Sequence, residues 1–543
     1  MERDVAHGPT WQRIWVLLVA AACVLTLAAG PLPHVDSDAA LYGKIAKHIL
    51  ATGEWLTLQD PGRPEWIVDK PPVTFWMMAV SLRFGGETNA ALRFWQLLMS
   101  VGLVALTYAL ARQAAGREES LLAALLTATF QQVFLFSMAP QQDVPVALFL
   151  TLAFYSYLGY RRGGATANAA LTGLWVALAV LSKGVLWVGV FLLIITVDLV
   201  IASRHSDAGH WRWDQVAVGA VVCLVVAAPW FTIGILRQGA PFAEAFLLGD
   251  NGIKRLFHPI LGSGVVPVRG RLMMVLAYLP ILMLGMLPWT GLLPGAVAEG
   301  WRSLRAGPRS PRSCAVWFGM FFLLLSLSQG DKVMRYLLPL YPPLAVLAAR
   351  FLMRAFDAPR RLRVAAGISL LLGVPLIAAM IWFYYLQAPT DVRTYLTIVL
   401  PMLVVFSLAV VAFAVITLVR PGRGAVAVLT VGVLVSYGLL YWMIMQRWEQ
   451  VWPWPAITST VNRLYRPGDR VLVVGSSGAE TNFASYWIAA PVQAADDASF
   501  LHAWQDGRVF GLLSPDAAAR LTDRLQPVVL VKTPLGWILA TNR

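Results

Sequence analysis

Two carboxylates stand at the end of the first long apolar stretch of this chain, where a helix is predicted to begin. Asp36 and Asp38 open the segment VDSDAALYGKIAKHIL at residues 35–50, which also carries Tyr42. An aspartate in this place can cap the helix by accepting hydrogen bonds from backbone N–H groups. It can equally act as a general base on a hydroxyl group. The two roles are compatible, and all three side chains are candidate site residues.

An acid and a base follow together before a double proline. Asp69 and Lys70 stand directly ahead of Pro71 and Pro72 in the segment WIVDKPPVTFW. The prolines fix the backbone and keep a helix from starting earlier, so Lys70 would point in one direction over the next helix. The alternative is a lysine whose stem follows apolar surface while its ammonium group reaches the lipid headgroups.

Two further charges lie where apolar stretches meet. Asp143 is the one charged residue of the short hairpin SMAPQQDVPVA, and Lys183 lies in VLSKGVL, with almost no loop between two apolar stretches. Asp143 could simply cap a helix. A lysine at membrane depth, however, is costly unless it meets a partner. Other candidates for contacting an anion are Lys254, Arg255 and His258 in GDNGIKRLFHP, and Lys332, Arg335, Tyr336 and Tyr341 in SQGDKVMRYLLPLYPP.

Taken together, these residue types suit a reaction on a lipid phosphate. Ammonium and guanidinium groups bind a phosphate at the headgroup plane, and a carboxylate can take a proton from a hydroxyl group. None of the spacings matches a metal-binding motif. No glycine-rich phosphate loop is present either, so no nucleotide site is predicted. A cofactor is therefore not indicated, and dependence on a divalent metal is left open.

The elements that must position these residues are helices in a membrane. The chain of 543 residues is 58% hydrophobic and 13% charged, and its mean hydropathy is +0.65. Apolar stretches of about 17–25 residues, each long enough to cross a bilayer, recur along most of its length. The sequence predicts thirteen spans, near residues 14–30, 91–111, 119–138, 143–160, 168–182, 184–202, 215–236, 271–293, 314–328, 336–352, 364–385, 396–419 and 425–444.

The charges indicate how these spans are oriented. With the N-terminus inside, the arginine-rich connections fall on the cytoplasmic side, as the positive-inside rule requires. Every lysine then lies on the outer side or at an outer span end. Chance and solvation are one explanation of the outward lysines, and convergence on an anionic ligand is the other. The net charge of +14 follows from this topology. No basic stripe with interleaved aromatic residues indicates a nucleic-acid partner.

The outer side carries the longer segments. In the first, residues 31–90, an amphipathic interfacial helix is predicted at 39–50, because Leu41, Ile45 and Ile49 recur every four residues. A second interfacial helix is predicted at 73–84. The tail at 445–543 alternates strand and helix patterns and predicts a small α/β domain. The chain is thus divided into a transmembrane domain at 1–444 and an outer domain at 445–543.

Five segments occur in the order typical of bacterial GT-C glycosyltransferases of the protein O-mannosyltransferase superfamily. They are DSDAALYGKIAKHILATGEWL, DKPPVTFW, QQDVP, LSKGV and SQGDKVMRYLLPLYPPLAVLAAR. The characterised type that the chain resembles is the lipid A 4-amino-4-deoxy-L-arabinose transferase, ArnT. Two positions differ from that type, because Ala39 and Leu41 stand where an acidic residue and an arginine are usual.

The resemblance implies a transferase that needs no metal or depends on one only weakly. By position, Asp38, Lys70 and Asp143 match the catalytic motif residues of the family. Lys183 and Arg255 would hold the phosphate of the lipid carrier. The remaining candidates would bind substrate, and these are Asp36, Tyr42, Asp69, Lys254, His258, Lys332, Arg335, Tyr336 and Tyr341.

The predicted function is transfer of a sugar from a polyprenyl-phosphate carrier to a lipid or glycan acceptor, for which lipid A is one candidate. The predicted place is the bacterial inner membrane, with the site and the tail domain on the periplasmic side. A protein or polysaccharide O-glycosyltransferase of the same fold is an alternative. A lipid or sugar transporter would place charges at the midplane and often show inverted repeats, and neither feature is evident.

Overall fold

The computed structural model describes most of the chain and is mainly helical, as predicted. The described residues are 8–32, 37–204, 209–248, 276–305, 311–328, 333–375, 377–378, 381–382, 390–451, 454–475, 479–533 and 535–542.

Long apolar helices make up the larger part of the structure. Within the described residues, nine helices are long and apolar enough to cross a membrane, or up to eleven if each of two bent pairs forms one span. The protein is therefore a multi-pass membrane protein, although these helices do not establish the predicted total of thirteen. The nine are Thr10–Leu27, Asn89–Arg112, Asp143–Gly163, Thr166–Lys183, Leu186–Arg204, Trp213–Gln238, Met334–Phe356, Ile398–Val419 and Arg423–Arg447.

Two of the predicted straight spans are bent. Arg117–Thr129 and Gln131–Ser137 meet at 59°, and Tyr278–Gly285 meets Trp289–Arg305 at 117°. The two breaks contact each other, because the backbone N–H of Gln131 donates to the carbonyl of Leu287 over 3.1 Å. A backbone group released from a helix inside a membrane needs such a partner. The sequence does not reveal this pairing, since its two halves are far apart along the chain.

Shorter helices connect these segments. Between the first two membrane helices, Ser37–Thr52 and Val73–Gly85 are the two helices predicted there, and the second follows Pro72 as the double proline predicts. A small antiparallel hairpin between them, β1 (Gln59–Asp60) and β2 (Arg63–Ile67), is not foreseen from the sequence. The other short helical segments are Ala240–Ala243, Glu244–Leu248, Arg312–Leu327, Pro359–Ile368 and Ser369–Gly373.

The tail folds into the predicted α/β unit. Its five strands are β3 (Arg470–Val474), β4 (Val492–Ala495), β5 (Val509–Leu513), β6 (Val528–Lys532) and β7 (Ile538–Thr541). They are ordered β4-β3-β5-β7-β6, with β3 parallel to β4 and β5, and with β7 antiparallel to β5 and β6. The helices of this part are Trp454–Leu464, Ala479–Trp487, Asp497–Asp506 and Pro515–Leu525.

One predicted cap and one domain boundary can be compared with these elements. Ser514 caps the Pro515–Leu525 helix by accepting a hydrogen bond from the backbone of Ala517, which is the capped helix that the sequence predicts. The boundary at residue 445 stays a prediction. The helix Arg423–Val451 continues without a break through that position.

Candidate functional site

Four helical segments bring acids and bases together at one end of the helices. Asp38 lies in the first turn of the helix Ser37–Thr52, and Asp143 in the first turn of Asp143–Gly163. Lys183 ends the helix Thr166–Lys183, which packs along Asp143–Gly163. The 3₁₀ segment Met334–Leu340 supplies Arg335 and Tyr336. The charged side chains of these four segments therefore meet at one place.

Arg335 joins the two carboxylates. Its Nη2 donates to Asp38 Oδ2 over 3.1 Å, and its Nε lies 3.6 Å from Asp143 Oδ2. The two acids differ in access, because 35% of the Asp38 side chain is exposed and only 6% of that of Asp143. Asp38 can therefore meet an incoming molecule, whereas Asp143 is held inside the cluster.

Lys183 reaches the cluster from its other side. Its ammonium group donates to Asp143 Oδ1. The same group lies 4.3 Å from the ring centre of Tyr336, a cation–π contact. A lysine between two apolar helices thus has the partner that its position requires. We refer to Asp38, Asp143, Lys183, Arg335 and Tyr336 as the charged cluster.

Tyr42 links the charged cluster to a second ion pair. Burial raises the pKa of the Tyr42 phenol well above its usual value, and the carboxylates of Asp38 and Asp143 raise it further. The hydroxyl group therefore keeps its proton and can act as a hydrogen-bond donor. The charge of Asp69 also acts on Tyr42, and Asp69 accepts a hydrogen bond of 2.8 Å from Lys70. Lys70 is thus paired with Asp69, whose charge acts on Tyr42.

The other predicted residues divide into two groups. Asp36, Lys254, Arg255, His258 and Lys332 lie outside the described residues. Tyr341 is described, and it corrects one expectation. It is fully buried, and its hydroxyl group donates to Gln132 Oε1 over 2.6 Å. Its side chain has no exposed surface for a substrate to contact, and it packs against the bent helix Gln131–Ser137 instead.

An arginine inside the membrane was missed by the sequence analysis. Arg93 is 2% exposed, and its guanidinium group donates to the backbone carbonyls of Gly30, Leu32 and Met138. Leu32 precedes Asp38 by six residues, and Met138 precedes Asp143 by five. Arg93 therefore fixes the backbone at Leu32 and at Met138, on the N-terminal side of each acid. The signal was present, because a charge within an apolar span is costly unless it has a function.

The polar side of the Ser37–Thr52 helix is covered rather than open. Lys44 is 7% exposed and lies 2.6 Å from Asp60 of β1. Burial would raise the pKa of Asp60, but the hydrogen bond and charge of Lys44, together with hydrogen bonds from Gly62 and Arg63, lower that pKa overall. The sequence places Lys44 away from the apolar side, but it does not reveal that Asp60 would meet it.

The tail domain packs on the same helix. Lys47 donates to the carbonyl of Tyr486 over 2.7 Å, lies 4.4 Å from the Tyr486 ring centre, and pairs with Glu87 at 2.5 Å. Gly43 makes the approach tight, since a Cβ atom there would lie 2.4 Å from the Tyr486 ring. The helix that carries Asp38 and Tyr42 is thus held between the membrane helices and the tail domain.

Metal ligation has no support from these side chains. Within the part of the chain that the structure describes, no group of three His, Cys, Asp or Glu residues could hold a metal ion. The cluster instead contains acids, cations and a phenol, which are groups that exchange protons and bind anions.

Comparison with known proteins supports the resemblance that the motifs predict. Residues 69–233 match the family model described as dolichyl-phosphate-mannose-protein mannosyltransferase. An undecaprenyl phosphate-alpha-4-amino-4-deoxy-L-arabinose arabinosyl transferase of Edwardsiella ictaluri is 28% identical over 354 residues, covering 63% of this chain and 60% of that protein. A protein of the same name, numbered 1, from Sodalis glossinidius is 31% identical over 349 residues, 62% of this chain and 59% of its own length. The match thus spans about three fifths of these relatives.

Solved structures extend the likeness to the whole fold. ArnT from Cupriavidus metallidurans, in a crystal structure with bound undecaprenyl phosphate, superposes with a TM-score of 0.75 at 20% identity, covering 97% of this chain and 98% of ArnT. The apo form of the same protein gives a TM-score of 0.74 and covers 99% of both chains. The architecture is therefore that of the GT-C fold, with the small sheet domain at the C-terminus.

Proposed function

We propose that this chain, a relative of the protein O-mannosyltransferase superfamily with the fold of ArnT, transfers a sugar from a polyprenyl-phosphate carrier to an acceptor at the outer face of the membrane. The observation that carries the proposal is the contact of Arg335 with both Asp38 and Asp143, completed by Lys183 on Asp143. This arrangement places an accessible acid beside cations at the end of membrane helices.

The donor follows from the cations and from the named relatives. Those relatives are called undecaprenyl phosphate-aminoarabinose transferases, and the related crystal structure contains undecaprenyl phosphate. A polyprenyl phosphate would keep its chain among the apolar helices and its phosphate at their ends. Lys183 and Arg335 are the cations placed to meet that phosphate, since 15% and 29% of their side chains remain exposed.

The proposed reaction is a direct displacement at the anomeric carbon. The acceptor oxygen forms a bond to that carbon while the bond to the phosphate oxygen breaks, and polyprenyl phosphate leaves with the electron pair. A hydroxyl acceptor gives its proton to Asp38. Lys183 and Arg335 stabilise the charge that grows on the leaving phosphate, an effect that is typically worth about 2–4 kcal/mol per group.

Asp143 has a different part in this proposal. With 6% of its side chain exposed and two cations against it, it cannot reach an acceptor. It holds Lys183 and Arg335 at a fixed separation, so that both charges face the phosphate. Tyr42, whose phenol stays protonated, can donate a hydrogen bond to the sugar or to the acceptor.

The acceptor determines how strongly Asp38 is needed. A lipid A phosphate is already ionised and needs no base, whereas a hydroxyl group does. We propose lipid A as the acceptor because of the named relatives. Ala39 and Leu41, which stand where an acidic residue and an arginine are usual in that type, are both buried, so two charged groups of that type are missing here and recognition of the sugar or acceptor would differ.

The test is a transfer assay in proteoliposomes. The purified protein receives undecaprenyl-phosphate-linked 4-amino-4-deoxy-L-arabinose and lipid A, and the products are identified by mass spectrometry. Lys183→Met should lower the rate about 100- to 1,000-fold. Asp38→Asn should abolish transfer to a hydroxyl acceptor and weaken transfer to a phosphate.

The matched control is Arg237→Gln, which removes an exposed pair with Glu54 and should leave the rate unchanged. Full activity of both Asp38→Asn and Lys183→Met would refute the proposal. A cell envelope with the same lipid A and the same glycans whether or not the gene is present would also count against it.

A further inference from the structure

A groove at the other end of the helices has no part in the proposed reaction. It lies where the helices Leu293–Arg305, Tyr341–Phe356 and Pro359–Ile368 meet, and its volume is about 380 Å³. The helix Tyr341–Phe356 begins directly after the segment that carries Arg335. At about 1.5 Å per residue, the groove extends from Phe351, roughly 15 Å along this helix from Tyr341, to beyond the helix end at Phe356, roughly 24 Å along it. The groove therefore belongs to the opposite membrane face.

The wall of the groove is apolar. Pro294, Gly295, Phe351, Val364 and Ile368 line it. Gly295 lies directly against Phe351, since a Cβ atom there would be 2.4 Å from the ring. Val364 is 55% exposed although it is a large apolar side chain next to this wall. Volumes of about 300–1,000 Å³ with such a lining are typical of ligand pockets.

Two arginines complete the lining. Arg360 and Arg361 are exposed, and both border the groove. Among the described residues neither forms an ion pair or a side-chain hydrogen bond, in contrast to the nearby Arg354, which lies 2.6 Å from Glu299. The groove therefore combines an apolar wall with two guanidinium groups that are available to an anion.

We propose that this groove binds one anionic phospholipid of the cytoplasmic leaflet. An acyl chain would lie along the apolar wall, and the phosphate would accept hydrogen bonds from Arg360 and Arg361. Guanidinium groups suit a phosphate because their donors match its geometry. Basic pockets between membrane helices on the cytoplasmic side are known to hold anionic headgroups. A zwitterionic lipid should bind more weakly, because its own ammonium group is repelled by the two arginines.

The binding can be measured without any sugar transfer. The purified protein in detergent is titrated with dioleoyl phosphatidylglycerol or with dioleoyl phosphatidylcholine, and the bound lipid is counted by native mass spectrometry. At about 1 kcal/mol for each arginine near an anionic headgroup, the preference for phosphatidylglycerol should be about 30-fold. The double variant Arg360→Gln/Arg361→Gln should lose that preference, and Val364→Trp, which fills the groove, should weaken the binding of both lipids.

The matched control is Arg363→Gln, which removes an exposed charge from the same helix but not from the groove. If this control lowers the preference as much as the double variant does, the effect is general surface charge and the proposal is wrong. Equal binding of the two lipids, or unchanged binding to Val364→Trp, would also overturn it. Size-exclusion chromatography establishes that each variant is folded. Because no transfer is measured, these outcomes do not depend on the proposed function.

Discussion

Removing the guanidinium group of Arg335 tests whether the charged cluster works as a unit. Arg335→Gln keeps a polar side chain but deletes the charge that contacts Asp38 at 3.1 Å and lies 3.6 Å from Asp143. Asp38→Asn deletes the carboxylate charge that Arg335 contacts at 3.1 Å. If the two residues act together, the activation free energy of the double variant should rise by less than the sum of the increases for the two single variants.

The size of the coupling follows from distance and exposure. Two unit charges 3.1 Å apart attract by about 5 kcal/mol at an effective dielectric constant of about 20. About a third of each side chain is exposed, 29% for Arg335 and 35% for Asp38, so solvent screens much of this attraction. We expect a coupling free energy of about 1–2 kcal/mol, which is about 5- to 30-fold in rate.

The assay is the initial rate of sugar transfer in proteoliposomes for the wild type, the two single variants and the double variant. Arg335→Lys should fall between wild type and Arg335→Gln, since it keeps the charge but loses the planar fork. Arg237→Gln is the matched control outside the cluster. Strictly additive losses would show that Arg335 does not act through Asp38, and the reasoning would then be wrong.

Three further predictions concern how the site is held. Gly43→Ala places a Cβ atom against the Tyr486 ring of the tail domain and should weaken the packing of that domain by about 1–3 kcal/mol. Limited proteolysis measures the weakened packing as faster cleavage. Gly319→Ala, at a position with open space around it, is the control. Arg93→Met should lower the free energy of unfolding by about 2–4 kcal/mol, because buried carbonyl groups lose a charged donor; chemical denaturation in detergent measures it. Asp60 has a lowered pKa in the folded protein, so its stabilisation is present above the unfolded pKa of about 3.9 and is lost as the pH falls through the folded pKa. The Lys44→Met variant should therefore be less stable than the wild type at pH 7 and should lose less stability on acidification. Thermal unfolding at pH 7 and at a pH below the unfolded pKa of Asp60 measures both effects.

Most of the fold could be predicted because its signals are local. A stretch of about 20 apolar residues identifies a membrane helix wherever it occurs, and alternating strand and helix patterns identify the tail domain. The bent pairs could not be predicted, since the contact between Gln131 and Leu287 joins residues far apart along the chain. The same holds for β4 and β5, whose order in the sheet depends on long-range pairing.

The residues of the charged cluster were all candidates from the sequence, but the central position of Arg335 between two acids was not predicted. Asp38, Asp143 and Lys183 stand out because charges next to apolar stretches are costly. Arg335 was one of several cations near a span end, and nothing local marks it as the residue that contacts two acids. Tyr341 shows the opposite error, because an aromatic residue near a site looks the same in sequence whether it lines a cavity or packs a helix.

Arg93 holds the backbone, whereas the charged cluster is the part proposed to face a substrate. Among the described residues, Arg93 donates only to main-chain carbonyls, at Gly30, Leu32 and Met138, and these precede the two acids along the chain. Asp143 therefore follows a backbone that Arg93 fixes at Met138, and Asp38 lies in a helix held by the Lys44–Asp60 pair and by Lys47 on Tyr486, so neither acid depends on its ion pairs only. Replacing Arg335 should then remove the positive charge between the two acids without moving the acids. The double-variant experiment measures electrostatic coupling only under this condition.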